Sequence, residues 1–334
     1  MSAQTKPQRV RVDRLTVLAL VDYAVMIPGT SEFYDGESDR HVADALRRMA
    51  KKVVVAPYIG ADQLLSTLDE VKPDVVFNLT QRDKAGDRQK DGHICALMEL
   101  RGIPYTGAGP RGLILGRDKA LSKLIAAQTG FKVPGFFVVQ NNGMSVNAEF
   151  PMVVKPRYGD ASEGVSQAAL VRTKEALLQR IDYLRRSGFD DIICEEFVAG
   201  REMVVGVLGE RMAQPREFIV ERKGPGSPLL ACFRFKYDKE FRRRWGVRAD
   251  TAELTPRQKS RLRELTLRAS EVLEMRDYGR LDVKLTPSGE WAFLEANPNP
   301  GLAPYGTSWA GTWAGVDYDS MIKEIVQRAV RRGG

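Results

Sequence analysis

The 334 residues are 43% hydrophobic and 28% charged, with a net charge of +8; these are proportions of an ordinary globular protein long enough for two or three domains. No run of eighteen apolar residues occurs, which argues against a membrane-spanning helix. Three scattered cysteines (Cys95, Cys194, Cys232) without paired histidines argue against a disulfide framework or zinc site and suit a reducing cytoplasm. The positive charge points to an anionic partner without choosing among nucleotide, acidic substrate and nucleic acid.

The N-terminal MSAQTKPQRVRVDR leads straight into LTVLALV (15–21). That run reads as a buried strand, not a signal peptide, because no small-residue cleavage site follows. Apolar runs VVVAP (53–57) and DVVFNL (74–79) come next, separated by helical patterns near 39–51 and 61–71. GHICALMELRG continues as helix ahead of the short strand IPYTG. Such alternation predicts an α/β unit with a parallel sheet covered by helices. TGAGPRG (106–112) supplies the turn residues of a boundary.

A second unit follows: a helix from Asp118 to Thr129, strands FFVVQ and PMVVKP, a glycine-containing loop, a helix over 173–186 and the strand DIICEEFV. The remainder sets strands EMVVGVLG, REFIVE, GRLDVKL and EWAFLEAN beside a long helix at 256–275, and DYDSMIKEIVQRAVRR closes the chain as an amphipathic helix. The basic run 233–248, FRFKYDKEFRRRWGVR, reads either as a solvated loop or as a surface for an anion. The expected partition is 1–109, 110–190 and 191–334.

Chemistry concentrates late. A strand places residues i and i+2 on one face, so Arg280, Asp282 and Lys284 share a face of GRLDVKL, and Glu295 and Asn297 share one of WAFLEAN. The tight turn TPSGE between them makes a hairpin that gathers Asp, Glu and Asn beside an arginine. Oxygen ligands of this kind suit Mg²⁺; a salt-bridged hairpin is the plain alternative. Lys155 leaves the strand PMVVKP beside a loop holding Gly159, Ser162 and Gly164, whose donors can reach phosphates although the Walker order is absent. Glu195, Glu196 and Glu202 lie in DIICEEFVAGRE, where backbone groups of 196–198 can serve an adenine ring and Glu202 ribose hydroxyls, or the carboxylates are simply solvated. No nucleophile elbow and no nucleic-acid module accompanies these residues.

In order, IPYTGAG, RDKALSK, PMVVKPRYGDASEGV, CEEFVAGREMVVGVLG, FKYD, GRLDVKL and LEANPNPG resemble the D-alanine–D-alanine ligase branch of the ATP-grasp superfamily, over roughly residues 72–330. The resemblance implies a pre-ATP-grasp parallel-sheet domain followed by a two-part, α+β ATP-grasp fold. It also implies an enzyme that joins a carboxylate to an amine through an acyl phosphate. By that resemblance Lys119 and Lys155 contact phosphate, Glu195, Glu196, Phe197 and Val198 form the adenine hinge, and Glu202 holds the ribose. Lys236 and Tyr237 belong to a loop closing over ATP. Asp282, Glu295 and Asn297 ligate two Mg²⁺ (Mn²⁺ being an alternative), with Glu295 bridging. Arg280 steadies the tetrahedral intermediate and Ser162 adds a donor. Small carboxylate and amine substrates, a homodimer, and no nucleic-acid or membrane partner are further implications.

Departures fall on the substrate side. Thr80-Gln81 stands where the family has His-Gly, and Lys90 where it has an acidic residue. Ala161 replaces a loop serine, and Gly306 a late serine for which Thr307 or Ser308 is the nearest substitute. Ser31 and Glu32 are only a loose match to the family's N-terminal signature. A substrate other than D-alanine is expected, and Arg242–Arg244 suggest an acidic one.

Overall fold

The computed structural model of the chain describes residues 10–26, 38–82, 86–139, 149–159, 162–227, 229–304 and 316–333. Contacts group the chain into two units, Met1–Pro110 with Gly301–Pro304 and Gly315–Gly334, and Arg111–Pro300 with Tyr305–Ala314. Among the described residues no helix is long and apolar enough to cross a membrane.

In the first unit β1 (Thr16–Asp22), β2 (Lys52–Tyr58) and β3 (Val75–Asn78) form a wholly parallel sheet in the order β2-β1-β3. The central β1 is buried from Val17 to Val21, which explains its unbroken apolar run. Helices α1 (Ser38–Met49), α2 (Ala61–Val71) and α3 (Asp91–Leu100) supply the crossovers. The expected short strand at 103–107 contributes a single parallel bridge, Tyr105 to Val76. The C-terminal helix Tyr318–Gly333 packs in this unit, burying Met321, Ile322, Ile325 and Val326, and Arg48 of α1 pairs with its Asp319.

The second unit opens with α4 (Pro110–Arg117) and α5 (Lys119–Ala127). An antiparallel sheet β4-β7-β5-β6 is built from β4 (Phe136–Val138), β5 (Met152–Pro156), β6 (Leu170–Val171) and β7 (Ile192–Glu196), covered by α6 (Lys174–Arg186). A second antiparallel sheet, β11-β10-β8-β12-β13, comprises β8 (Arg201–Leu208), β10 (Arg216–Val220), β11 (Val247–Thr251), β12 (Tyr278–Leu285) and β13 (Trp291–Asn297), with the short β9 (Arg211–Met212) beside β8. Its core joins Leu281, Val283 and Phe293 to Phe131 and to Leu262 and Leu265 of α9 (Pro256–Val272). That helix starts at a capping box, Thr255 with Gln258.

Two features differ from the sequence reading. The last helix groups with the first unit, where it buries its apolar face. The basic run 233–248 is mostly ordered into α7 (Phe233–Tyr237), α8 (Lys239–Trp245) and the start of β11. Asp238 caps α8 by accepting from Phe241 N at 2.9 Å, and Gly246 closes it in a left-handed conformation.

Candidate functional site

The hairpin β12–β13 pairs Arg280 with Asn297 and Asp282 with Glu295. Period-2 alternation sets Arg280 with Asp282 on one strand and Glu295 with Asn297 on the other, but a break in the register is what sets the two pairs on one face. A bulge follows at once: Asp282 faces Glu295, whereas Val283 faces Phe293, so Leu294 is the extra residue of β13. The Leu294 carbonyl accepts from Lys123 Nζ of α5 at 2.5 Å. Arg280 donates to both oxygens of Asp282, at 2.7 and 3.2 Å.

Lys123 is the buried hub of the site. It lies four residues after Lys119 on α5, with its side chain wholly buried, 2.8 Å from Glu195. Lys155, from β5, reaches the other Glu195 oxygen at 3.0 Å. One carboxylate on β7 thus ties together α5, β5 and, through Lys123, the β13 bulge. Burial lowers the Lys123 pKa to about 8 against the pull of Glu195. Burial also opposes the Lys155 charge, but Glu195 and Glu295 outweigh it and raise the pKa. The Glu195 carboxyl, which burial alone would raise, is held low by the two lysines.

Strand alternation splits the two consecutive glutamates. Glu195 points inward to the lysines, while the exposed Glu196 accepts from Gly135 N at 2.9 Å. Beyond β7 the chain runs through Phe197 and Val198 to Glu202. Lys284 organises this turn by donating to Val198 O at 3.1 Å, pairing with Glu202 at 3.3 Å and standing 5.0 Å over the Phe197 ring. The sequence pattern places Lys284 on the same strand face as Arg280 and Asp282 but says nothing of this duty. Lys123 is likewise unassigned there, although i, i+4 spacing from Lys119 sets both on one side of α5.

The glycine loop forms the next wall. Asp118 caps α5 through Ala120 N and Leu121 N and is clasped by Arg157 at 2.8 and 2.5 Å. Burial raises its carboxyl, yet Arg157 and the capping N–H groups hold it below the usual range. Lys119 Nζ donates to Gly159 O at 2.7 Å. Gly164, at φ +65°, has no space for a side chain, since a Cβ would lie 2.7 Å from Pro156 Cγ. Ser162 adopts φ +64° and donates to Ala231 O at 3.3 Å.

These pieces line one cleft, with about 800 Å³ of empty space when the open solvent at its mouth is included. Lys119, Lys155, Ser162, Glu195, Glu196 and Phe197 line it. So do Val198, Glu202, Lys236, Asp282 and Glu295, while Leu230 and Ala231 add an apolar wall. Arg280 and Asn297 join through the hairpin register and do not line the cleft themselves. Burial would raise the Glu295 carboxyl, but Lys119, Lys155, Lys236 and Arg280 bring it down to about 2. Asp282 moves the other way: its burial and the Glu295 charge outweigh Arg280 and Lys236 and push it up. The side chain of Tyr237 lies outside the described residues, as do Ser31, Glu32, Asp160, Ala161 and residues 306–308.

Residues 128–327 match the family model for the D-ala D-ala ligase C-terminus. The chain is 30% identical over 297 residues to the D-alanine–D-alanine ligase of Aquifex aeolicus (strain VF5), covering 87% of this chain and 94% of that protein. The chain belongs to the D-alanine–D-alanine ligase family. It is an ATP-grasp enzyme, an ATP-dependent ligase of the carbon–nitrogen-bond-forming kind. Uncharacterized protein y4sG of Sinorhizobium fredii (strain NBRC 101917 / NGR234) is also 30% identical, over 283 residues and 82% of each chain. In fold, the chain is similar to D-alanine–D-alanine ligase from Bacillus anthracis complexed with ATP, at TM-score 0.71 and 17% identity over 96% of this chain and 98% of that one. It is also similar to the VanG D-Ala:D-Ser ligase from Enterococcus faecalis, at TM-score 0.67 and 18% identity over 94% and 98%.

Proposed function

We propose that this chain uses the cleft to join a small carboxylate, an amino acid or short peptide other than D-alanine, to an amine, releasing ADP and phosphate. The observation that carries the reading is the convergence of Lys119, Lys155, Lys236 and Arg280 on Glu295, with Asp282 opposite. Cations from four separated stretches meeting two carboxylates suit a polyphosphate bridged to metal. Two carboxylates and an amide (Asp282, Glu295, Asn297) fit Mg²⁺, which takes few protein ligands and completes its shell with water and phosphate oxygens. Among the described residues there is no cluster of three His, Cys, Asp or Glu side chains of the kind a self-sufficient metal cage needs. Two Mg²⁺ held there, or Mn²⁺ in their place, would neutralise phosphate charge.

The chain's own groups account for the rest. Phe197, Val198 and Glu202, fixed by Lys284, receive adenine and ribose. The Glu195–Val198 stretch lends backbone groups, with the Glu195 side chain engaged by Lys123 and Lys155. Lys119, Lys155 and Lys236 orient the phosphates, and Ser162 supports the covering segment. A substrate carboxylate oxygen attacks the γ-phosphorus and the bond to ADP breaks. The amine then attacks the acyl carbon, loses its proton, and phosphate leaves. Arg280, fixed by Asp282, stabilises the oxyanion of that second step.

Thr80 and Gln81 in place of His-Gly support a substrate other than D-alanine, because changed polar partners alter which ligand is satisfied. Arg243 and Arg244 are exposed on α8 and favour an acidic acceptor, whereas Arg242 is engaged with Lys236 O. A cytoplasmic location is in keeping with three buried free cysteines, and a homodimer completes the proposal. The second reading, a genuine D-alanine–D-alanine ligase, is favoured by the near full-length likeness to the Aquifex protein. Phosphate release from Mg²⁺-ATP, screened over amino-acid pairs with mass spectrometry of products, tests both. Turnover on pairs lacking D-alanine supports the first, strict dependence on D-alanine establishes the second, and no amide product from any pair removes the ligase assignment.

A further inference from the structure

Gln167 lies just past the glycine loop, at the start of the turn Gln167–Ala169, and makes an unusual set of bonds. Its Oε1 accepts from Leu229 N at 2.9 Å and Leu230 N at 3.2 Å, while its Nε2 donates to Leu230 O at 2.7 Å. Nε2 also approaches Cys232 Sγ at 3.4 Å. One side-chain amide thus serves both backbone groups of Leu230, as a neighbouring strand residue would. Two further contacts seat the same segment: Ser162 Oγ on Ala231 O, and Val165 packed against the cluster of Cys232, Phe235 and Val247.

The seat leads directly to a cleft residue. Cys232 O accepts from Lys236 N at 3.0 Å in the first turn of α7, and Arg242 holds Lys236 O from the other side at 2.8 Å. Lys236 lines the cleft together with Asp282 and Glu295. Leu230 and Ala231 are themselves part of the cleft wall.

We infer that Gln167 is a positioning residue: its amide latches segment 229–232 onto the glycine-loop side of the cleft and so sets Lys236 and the apolar wall in place over the nucleotide. Only a primary amide meets all three backbone groups. A carboxylate lacks the donor and faces Leu230 O, and an ammonium lacks the acceptor. The latch stands on geometry alone, but its catalytic consequence rests on the ATP-dependent reading above.

The test compares wild type, Gln167→Ala and Gln167→Glu as full chains, the last keeping the side-chain volume. Limited trypsin cleavage reads opening of the basic segment 234–248 without ligand and with Mg²⁺ plus adenylyl imidodiphosphate. ATP-consumption kinetics separate KM from kcat. Both variants should be cut about tenfold faster without ligand and show a KM for ATP raised about tenfold, more than kcat falls, with Tm within about 2 °C of wild type. Unchanged cleavage in Gln167→Glu, or faster cleavage matched by a general loss of Tm, overturns the latch. If adenylyl imidodiphosphate neither binds nor protects wild type, the nucleotide reading fails instead. The ligand-free cleavage rates still decide the latch.

Discussion

The C-terminal ends of the parallel strands in the first unit and the cleft of the second use polar residues in opposite ways. At the strand ends, buried Asp22 accepts from Gln81 N and Arg82 N and pairs with the Arg82 guanidinium at 3.1 Å. Nearby, Asn78 Oδ1 takes both the Thr80 hydroxyl at 2.6 Å and the Thr80 N–H at 3.2 Å. Polar groups there satisfy one another and hold a loop to a sheet. In the cleft, cations from α5, β5 and α7 share the walls with two carboxylates of one hairpin, with an open space between them. Buried polar groups that close on themselves mark architecture; those gathered around a cavity mark a ligand.

The sharpest way to break this contrast is Glu295→Gln. Phosphate release at saturating Mg²⁺-ATP should fall about a thousandfold, the scale of removing a preorganised charged group from a reacting site. Near-normal turnover would put Glu295 among the architectural residues. Lys123→Met should do the reverse of a purely catalytic change. It leaves Glu195 with one cation and Leu294 O without its donor, so denaturant unfolding should show a loss of about 3 kcal/mol. A neutral result would mean that the three-element tie adds nothing to the fold. Asp22→Ala, in the first unit, should cost about 2 kcal/mol by leaving buried N–H groups unpaired. Adenylyl imidodiphosphate should bind this variant as it binds wild type; a weakened affinity would blur the distinction between the two regions.

The smallest expected effect concerns pH. Asp118 is held below its unfolded pKa, so its contribution is fully present above about pH 4 and is lost as pH falls through the lower folded value. Unfolding free energy should therefore decline with acid below about pH 4, and Asp118→Asn should flatten that decline. Equal acid sensitivity in both proteins would assign the effect to other carboxylates.

Much of the cleft is legible in the chain because alternation is a local rule. GRLDVKL and WAFLEAN, joined by a tight turn, fix which side chains share a face within each strand, while the register Asp282 to Glu295 needs the extra residue Leu294. The same rule separates Glu195 from Glu196 once β7 is recognised. Nothing local announces the bulge at Leu294, since it depends on a donor 171 residues away in sequence. Nor does the composition of the run 233–248 announce α7 and α8, whose caps and apolar seat come from Asp238, Gly246 and Val165.

By itself the sequence determined the parallel first unit, the late hairpin with the face of each of its strands, and membership in a family of ATP-grasp ligases. These depend on period, spacing and ordered motifs, all carried along the chain. Only the tertiary structure decided that Glu195 is shared by Lys123 and Lys155, that Lys284 fixes the turn after β7, and that Gln167 clasps segment 229–232. Each of those joins residues tens of positions apart. Their partners are selected by burial, where an unpaired charge or amide is costly, and burial is a property of the packed molecule.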